Sequence, residues 1–217
     1  MSLSKQLAAE FVGTALLLAT VVGSGIMGER LAGGNIAIAL LANAIATGAV
    51  LYALIVTFGS ISGAHFNPLV TLSQVWLGKL TWKTASAYIA TQVVAALIGV
   101  AIAHGMFELP VILPSHHIRG GPSQLFSEVV ATFGLLLVIL NCAHYKPDTI
   151  PAAVGLYITA AYWFTASTSF ANPAVTIARS MTDTFSGIRP LDAPGFIAAQ
   201  CVGAVLAIYF YRWNRRA

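Results

Sequence analysis

Apolar residues run almost unbroken over positions 6–27, 36–59, 84–106, 125–143, 150–167 and 193–211. A helix needs about 20 mostly apolar residues to cross the roughly 30 Å of bilayer hydrocarbon, so the pattern predicts six membrane-spanning helices. Runs this continuous do not fit the alternating in-and-out pattern of a membrane β-barrel. Two further apolar pieces, near 67–77 and 172–182, are too short to cross. They match each other in kind, and that match becomes informative below. The first run has Lys5 ahead of it and small residues at 23–25, an outline shared with signal peptides. A counterpart later in the chain favours a retained span.

Composition supports a bilayer environment. Of 217 residues, 58% are hydrophobic and 8% charged, whereas a soluble domain carries about 25% charged residues. This excludes soluble globular, disordered and disulfide-scaffold classes. Cys142 and Cys201 sit inside apolar runs and read as small buried thiols. The net charge of +4 is scattered between segments and predicts no nucleic-acid partner. It reads instead as topology. Six spans put both termini on one side, together with Lys5, Lys79, Lys83, Lys146, Arg212, Arg215 and Arg216. Arg30, Arg119, Arg179 and Arg189 fall on the other, so the positive-inside rule predicts cytoplasmic termini. Trp76, Trp82, Trp163, Trp213 and Tyr211 lie near segment ends, as interfacial anchors do.

The chain repeats itself. Ala9-Glu10-Phe11-Val12-Gly13-Thr14 aligns with Ser127-Glu128-Val129-Val130-Ala131-Thr132. Asn67-Pro68-Leu69-Val70-Thr71 aligns with Asn172-Pro173-Ala174-Val175-Thr176, and Gln92 with Gln200. The order is kept, which predicts a single domain over 1–217 with halves 1–107 and 124–217 and an outer connection 108–123. Three spans per half is an odd number, so the copies insert with opposite orientation, and inverted repeats place a transport site between them near the midplane.

Asparagine is a good N-cap and proline is favoured at the first helical position. Each Asn-Pro therefore begins a half-length helix, preceded by small, polar chain descending into the membrane. Such irregular backbone is tolerated only where it is buried in protein or lines a cavity. Inversion brings the two half-helices together at their N-termini, where their partial positive charges repel cations. The Asn67 and Asn172 amides can both donate to one neutral oxygen, and a water held this way interrupts proton hopping. Carbonyls of Gly63, Ala64 and His65, and of Thr168, Ser169 and Phe170, supply acceptors. Glu10 and Glu128 read as buried acceptors for the N–H groups of the descending loops, tethered with Gln92 and Gln200. Gly13, Ala15, Ala95, Gly99, Gly203 and Ala204 suit close helix crossings.

At these residues the chain resembles the aquaporin and aquaglyceroporin family, the major intrinsic proteins, over nearly its whole length. Ser62-Gly63-Ala64-His65-Phe66-Asn67-Pro68-Leu69-Val70-Thr71 is close to that family's first signature, with Leu69 in place of the usual alanine, and Asn172-Pro173-Ala174 is the second. The resemblance implies an all-α membrane fold of six helices and two re-entrant half-helices, assembled as a homotetramer with one pore per subunit. It implies a central constriction of Asn67, Pro68, Leu69, Asn172, Pro173 and Ala174. Counting along the family pattern puts the selectivity filter at Thr47, Ala160, Ser169 and Val175. Most of the family has arginine where this chain has Val175; Arg179 follows one helical turn later and can lean back toward the mouth. Four small uncharged residues imply a wide filter, similar to a bacterial branch associated with arsenous acid. The expected function is passive passage of metalloid hydroxides, glycerol or urea, with water.

A narrow water-selective pore is the nearer alternative; an ion-coupled carrier using Glu10 and Glu128 is the alternative of another class. No nucleophile motif accompanies Ser60, Ser62 and His65, so no enzyme is expected. No cofactor or metal is expected either, because His116, His117 and Glu108 lack a further ligand at suitable spacing. That loop reads as a solvated polar connection. His104 and His144 read as interfacial, and His65 as holding a loop hydrogen bond. The compact loops suit a bacterial inner membrane, leaving lipid and small neutral solutes as partners.

Overall fold

The computed structural model describes residues 1–215; Arg216 lies outside them, as does the end of the second half. Eight helices follow one another: α1 (Leu3–Leu31), α2 (Ile36–Ser62), α3 (Pro68–Trp76), α4 (Trp82–Met106), α5 (Pro122–Tyr145), α6 (Ile150–Phe164), α7 (Pro173–Arg179) and α8 (Ala193–Asn214), with a 3₁₀ turn at Pro147–Thr149. The chain is all-helical, and α3 and α7 are the two half-length pieces. Five helices (α1, α2, α4, α5 and α8) are long and apolar enough to cross a membrane. The sixth expected span, α6, has 15 residues, about 22 Å at 1.5 Å per residue. It ends at Phe164 rather than near 167 because Thr165 turns to extended geometry and its hydroxyl donates to the Ala161 carbonyl at 2.6 Å.

The two halves are built alike. In the first, α1 packs against α4 and α2; in the second, α5 packs against α8 and α6, and α2 meets α6 across the join. Gly99 and Gly203 mark the tight crossings. A Cβ on Gly99 would overlap the Ala15 carbonyl, and one on Gly203 the Val129 carbonyl. With no hydrophobic driving force between helices in lipid, such close backbone approach is what holds the bundle together. The largest core cluster, including Leu18, Val22, Phe66, Val100, Phe170 and Phe196, surrounds the re-entrant loops.

Several peripheral expectations change. Cys201 is exposed on the outer face of α8 and Cys142 is half-buried, because an apolar run facing lipid does not bury every member. Tyr211 is buried beside Leu140 and Ile208, whereas Trp76, Trp82, Trp163 and Trp213 are exposed. The connection before α5 keeps Glu108, His116 and His117 exposed, as expected, but it is not loose. It runs along the segment before α8, with Leu113 N–H on Met181 O, Ser115 N–H on Ser180 O, and Arg189 N–H on His117 O at 2.7 Å.

Candidate functional site: a channel between two re-entrant elbows

Asn67 and Asn172 cap α3 and α7. Asn67 Oδ1 accepts from Leu69 N–H at 2.9 Å; Asn172 Oδ1 accepts from Ala174 and Val175 N–H at 3.0 and 3.3 Å. Their amide nitrogens then cross between the halves: Asn67 Nδ2 donates to Ala171 O and Asn172 Nδ2 to Phe66 O, both at 2.8 Å. An amide has two N–H groups, so each asparagine retains one for something else. The two elbows are thus stapled tip to tip, with one spare donor apiece.

The loops ahead of the caps carry matched backbone. Gly63, Ala64 and Phe66 have φ of 89°, 50° and 48°, and their counterparts Thr168, Ser169 and Ala171 have 61°, 51° and 48°. Left-handed geometry at non-glycine residues costs of order 1–3 kcal/mol each and persists only where the surroundings enforce it. Buried carboxylates provide that enforcement. Glu10 accepts from Ser62 Oγ (2.7 Å), His65 N–H (2.9 Å), Phe66 N–H (2.8 Å) and Gln92 Nε2 (2.8 Å). Glu128 accepts from Ser167 Oγ (2.6 Å), Phe170 N–H (2.9 Å), Ala171 N–H (2.9 Å) and Gln200 Nε2 (2.7 Å). Gln92 and Gln200 also donate to Thr71 and Thr176, whose hydroxyls cap back onto the Asn67 and Asn172 carbonyls. Each of these carboxylate, glutamine and threonine bonds in one half has its partner in the other. His65 breaks the likeness: its Nδ1 lies 3.0 Å from Thr71 Oγ1, fixing it in the loop.

Beside the elbows runs a cavity with about 90 Å³ of water-accessible space, room for several waters at about 10–15 Å³ each on that measure. Asn67, Asn172, Ala64, His65, Ser169 and Phe170 border it. Gly63 and Thr168 do not; Gly63 is exposed and Thr168 accepts from Arg119. Pro68, Leu69, Pro173 and Ala174 are buried behind the asparagines rather than along the cavity. The facing wall is a stripe on α6, Ile150, Val154, Ile158 and Tyr162. This stripe is about 18 Å long, since four-residue steps keep to one helix face.

Ala160 is a correction. It is exposed on α6 and does not border the cavity. Two residues from either Ile158 or Tyr162, it is turned about 200° away from them at 100° per residue. The position expected there is filled by Tyr162, whose hydroxyl lies 3.2 Å from Thr47 Oγ1. Thr47, Ser169 and Val175 do border the cavity, and so does Arg179. Arg179 is only 2% exposed; its Nε donates to the Ser186 carbonyl and its guanidinium carbon stacks 3.5 Å from the Phe170 ring centre. The mouth at this end therefore holds an aromatic ring and a cation in addition to small residues.

Sequence reasoning passed over Tyr162 and Arg119. Tyr162 was visible as the end of the four-residue stripe on α6. Arg119 gave no local signal: the connection folds back, and its guanidinium donates to the carbonyls of Gly187 (2.7 Å), Ser167 (3.3 Å) and Phe185 (3.4 Å). Among the described residues, no group of three or more His, Cys, Asp or Glu is placed to hold a metal.

Comparison with known proteins agrees with this geometry. The family described as "Major intrinsic protein" matches residues 1–166. The chain is 54% identical to "Aquaglyceroporin AqpS" of Rhizobium meliloti over 97% of its own length and 90% of the relative's. It is 30% identical to "Probable aquaporin AqpM" of Archaeoglobus fulgidus, covering 98% of both chains. Its fold matches the X-ray structure of the aquaglyceroporin from Plasmodium falciparum with a TM-score of 0.75, at 23% identity, over 97% of this chain and 96% of that one.

Proposed function

The chain belongs to the major intrinsic protein family, and from that premise we infer how it passes water and small neutral solutes such as glycerol. It is a passive membrane channel and not an enzyme. The observation that carries the reading is the pair of cross-stapled asparagines, each with one amide N–H left over beside the central cavity. A hydroxylated solute replaces its water shell with those two donors and with carbonyls of the re-entrant loops, while its carbon face lies against the α6 stripe. A cation finds two helix N-termini and no carboxylate to compensate lost hydration, because Glu10 and Glu128 are each saturated by four donors. That saturation also speaks against the ion-coupled carrier.

The finer reading extends to arsenous acid and urea, which at neutral pH are uncharged and of similar size and hydrogen-bonding pattern. Thr47, Ser169 and Val175 support it by leaving the mouth without a bulky group at their positions. Tyr162 and Arg179 favour the second reading, a narrower mouth that prefers water. The chain is proposed to act as one channel domain of two inverted halves, 1–107 and 124–217, in the cell membrane with cytoplasmic termini, and to assemble as a homotetramer. The asymmetry of lysine and arginine supports the orientation, and the family resemblance supports the assembly.

Stopped-flow swelling of proteoliposomes in gradients of glycerol, urea and arsenous acid, with wild type and Val175→Arg, tests the reading. Entry of all three solutes in the wild type, suppressed more than water in the variant, is expected. Water flux without measurable entry of the larger solutes overturns the broad reading in favour of the narrow one.

A further inference from the structure

The two mouths of the channel are not electrically alike. The carboxylate-centred elbow bonds are duplicated in the two halves, yet among the described residues the guanidinium groups that reach the central cavity and its Phe170 wall, Arg179 and Arg119, lie at one mouth. Arg179 stacks on one side of the Phe170 ring at 3.5 Å, and Arg119 has its guanidinium carbon 5.2 Å from the same ring centre. They bind consecutive carbonyls: Arg119 takes those of Phe185 and Gly187, and Arg179 that of Ser186 between them. The ion pairs formed among the described residues are His117 with Asp183 and Arg189 with Asp192. Neither Arg119 nor Arg179 is in one. Two cations thus share a largely buried site with no carboxylate in direct contact, Glu128 acting on both only from beyond ion-pair distance.

Unused donors accompany that charge. Among the described residues, Arg179 has only the Ser186 carbonyl as a protein acceptor, which leaves its terminal nitrogens without one where the side chain borders the cavity. Ser169 borders the same cavity, is 3% exposed, and its hydroxyl has no hydrogen-bond partner. Buried donors are normally satisfied, and an orphan marks a missing partner. A neutral solute supplies oxygen but no charge. A small planar oxyanion supplies both, and the guanidinium fork matches two oxygens on one carbon.

We propose that the outer mouth is a binding site for a small monovalent oxyanion of the carboxylate type, held by Arg179 and Ser169 and drawn in by Arg119, and that its occupancy blocks passage of neutral solutes. This rests on the channel reading above. The anion stops at the mouth because the wall below is the apolar stripe Val154 and Ile158, and the two spare asparagine N–H groups there are too few to replace its hydration. Bound there, it fills the space between Tyr162 and Val175 that a solute must cross.

The test is exchange of labelled glycerol across proteoliposomes, with equal salt on both sides so that no osmotic gradient acts. Sodium formate is compared with sodium morpholinoethanesulfonate, whose anion is too bulky for the mouth. Each variant is read as the ratio of its own two rates. Wild type should exchange more slowly in formate. Arg179→Gln should lose about tenfold in formate sensitivity, the size of one charge-assisted hydrogen bond. Ser169→Ala and Arg119→Gln should lose less, and Arg179→Lys should recover part of the sensitivity. A second readout needs no transport: formate should raise the unfolding temperature of the purified wild-type protein in detergent, and should do so less for Arg119→Gln.

Equal rates in the two salts for wild type overturn the anion site while leaving the channel intact. Inhibition that survives in both Arg179→Gln and Arg119→Gln overturns it as well. Absence of glycerol exchange in either salt sinks the channel reading instead. In that case the unfolding temperature decides the anion site: a formate-dependent rise lost in Arg119→Gln upholds it, and no rise overturns it.

Discussion

Replacing Glu10 by glutamine keeps the shape of the side chain and removes its charge. The carboxylate accepts four hydrogen bonds, with Ser62 and His65 on Oε1, and Phe66 and Gln92 on Oε2. A glutamine has one acceptor oxygen and a donating NH₂ group. If its oxygen stays at the Oε1 position, the NH₂ group faces the Phe66 N–H and the Gln92 amide, donor against donor. Flipping Gln92 relieves one clash but gives up its bond to Thr71 Oγ1 at 3.0 Å. Two buried donors are thus left without acceptors, at about 1–3 kcal/mol each, so the loss is about 2–6 kcal/mol. The strained residues Ala64 and Phe66 then lose the force that holds them at positive φ. Glu128 makes the corresponding four bonds, so Glu128→Gln should lose the same amount. The assay is thermal unfolding of the purified protein in detergent, with glycerol flux of the folded fraction measured alongside. Both variants should melt well below wild type, and by similar margins. An unchanged melting temperature in either refutes the idea that these carboxylates hold the elbows. So does a variant of full stability whose flux becomes dependent on a proton gradient, which would restore the carrier.

Three other perturbations probe the surroundings. Gly99→Ala and Gly203→Ala push a methyl into the Ala15 and Val129 carbonyls, so each should destabilise by about 1–3 kcal/mol; melting temperatures equal to wild type would mean the helix crossings are looser than described. His104 is fully buried with Nδ1 2.6 Å from the Pro110 carbonyl and Nε2 2.7 Å from Thr182 Oγ1; since a carbonyl only accepts, Nδ1 carries the proton. His104→Leu removes both bonds, although Thr182 Oγ1 keeps its contact with Thr184 Oγ1 and Pro110 is exposed, costing about 1–3 kcal/mol and loosening the segment that fixes Arg179, read as a lower melting temperature with altered formate sensitivity. Burial acts to raise the pKa of Asp192, but bonds from the Arg189 side chain and the Arg119 N–H outweigh it and hold the carboxyl below its ordinary value. A depressed carboxylate contributes stability above its unfolded pKa of about 3.9 and loses it as pH falls through the lower folded value. Wild type should therefore lose stability below about pH 4 more steeply than Asp192→Asn, while parallel acid profiles would deny Asp192 a part in anchoring the connection before α5.

The fold and the centre of the site were legible because each signal came twice. One Asn-Pro is an ordinary cap; two of them, each preceded by a glutamate and followed by a glutamine at matching places, specify a pair of elbows and the carboxylates that hold them. Helix limits were less clear, since an apolar run records lipid contact and says little about where hydrogen bonding stops. Thr165 ends α6 within such a run. The cavity lining was only partly readable. Thr47, Ser169 and Val175 follow by counting from the asparagines, but that count put Ala160 on the face opposite the cavity, where the four-residue stripe through Ile150, Val154 and Ile158 leads to Tyr162. Arg119 was out of reach altogether, because its position depends on a connection that folds back over the second half, held by Asp183 and Asp192 rather than by any periodic pattern.

The most direct test of the channel is a structure determined at high resolution in the presence of glycerol. A hydroxyl oxygen within hydrogen-bonding distance of both the Asn67 and Asn172 amide nitrogens, inside an opening continuous along the α6 stripe, is the predicted result. Glycerol confined to the outer surface, with the two asparagines apart or the passage beside them closed, would contradict it.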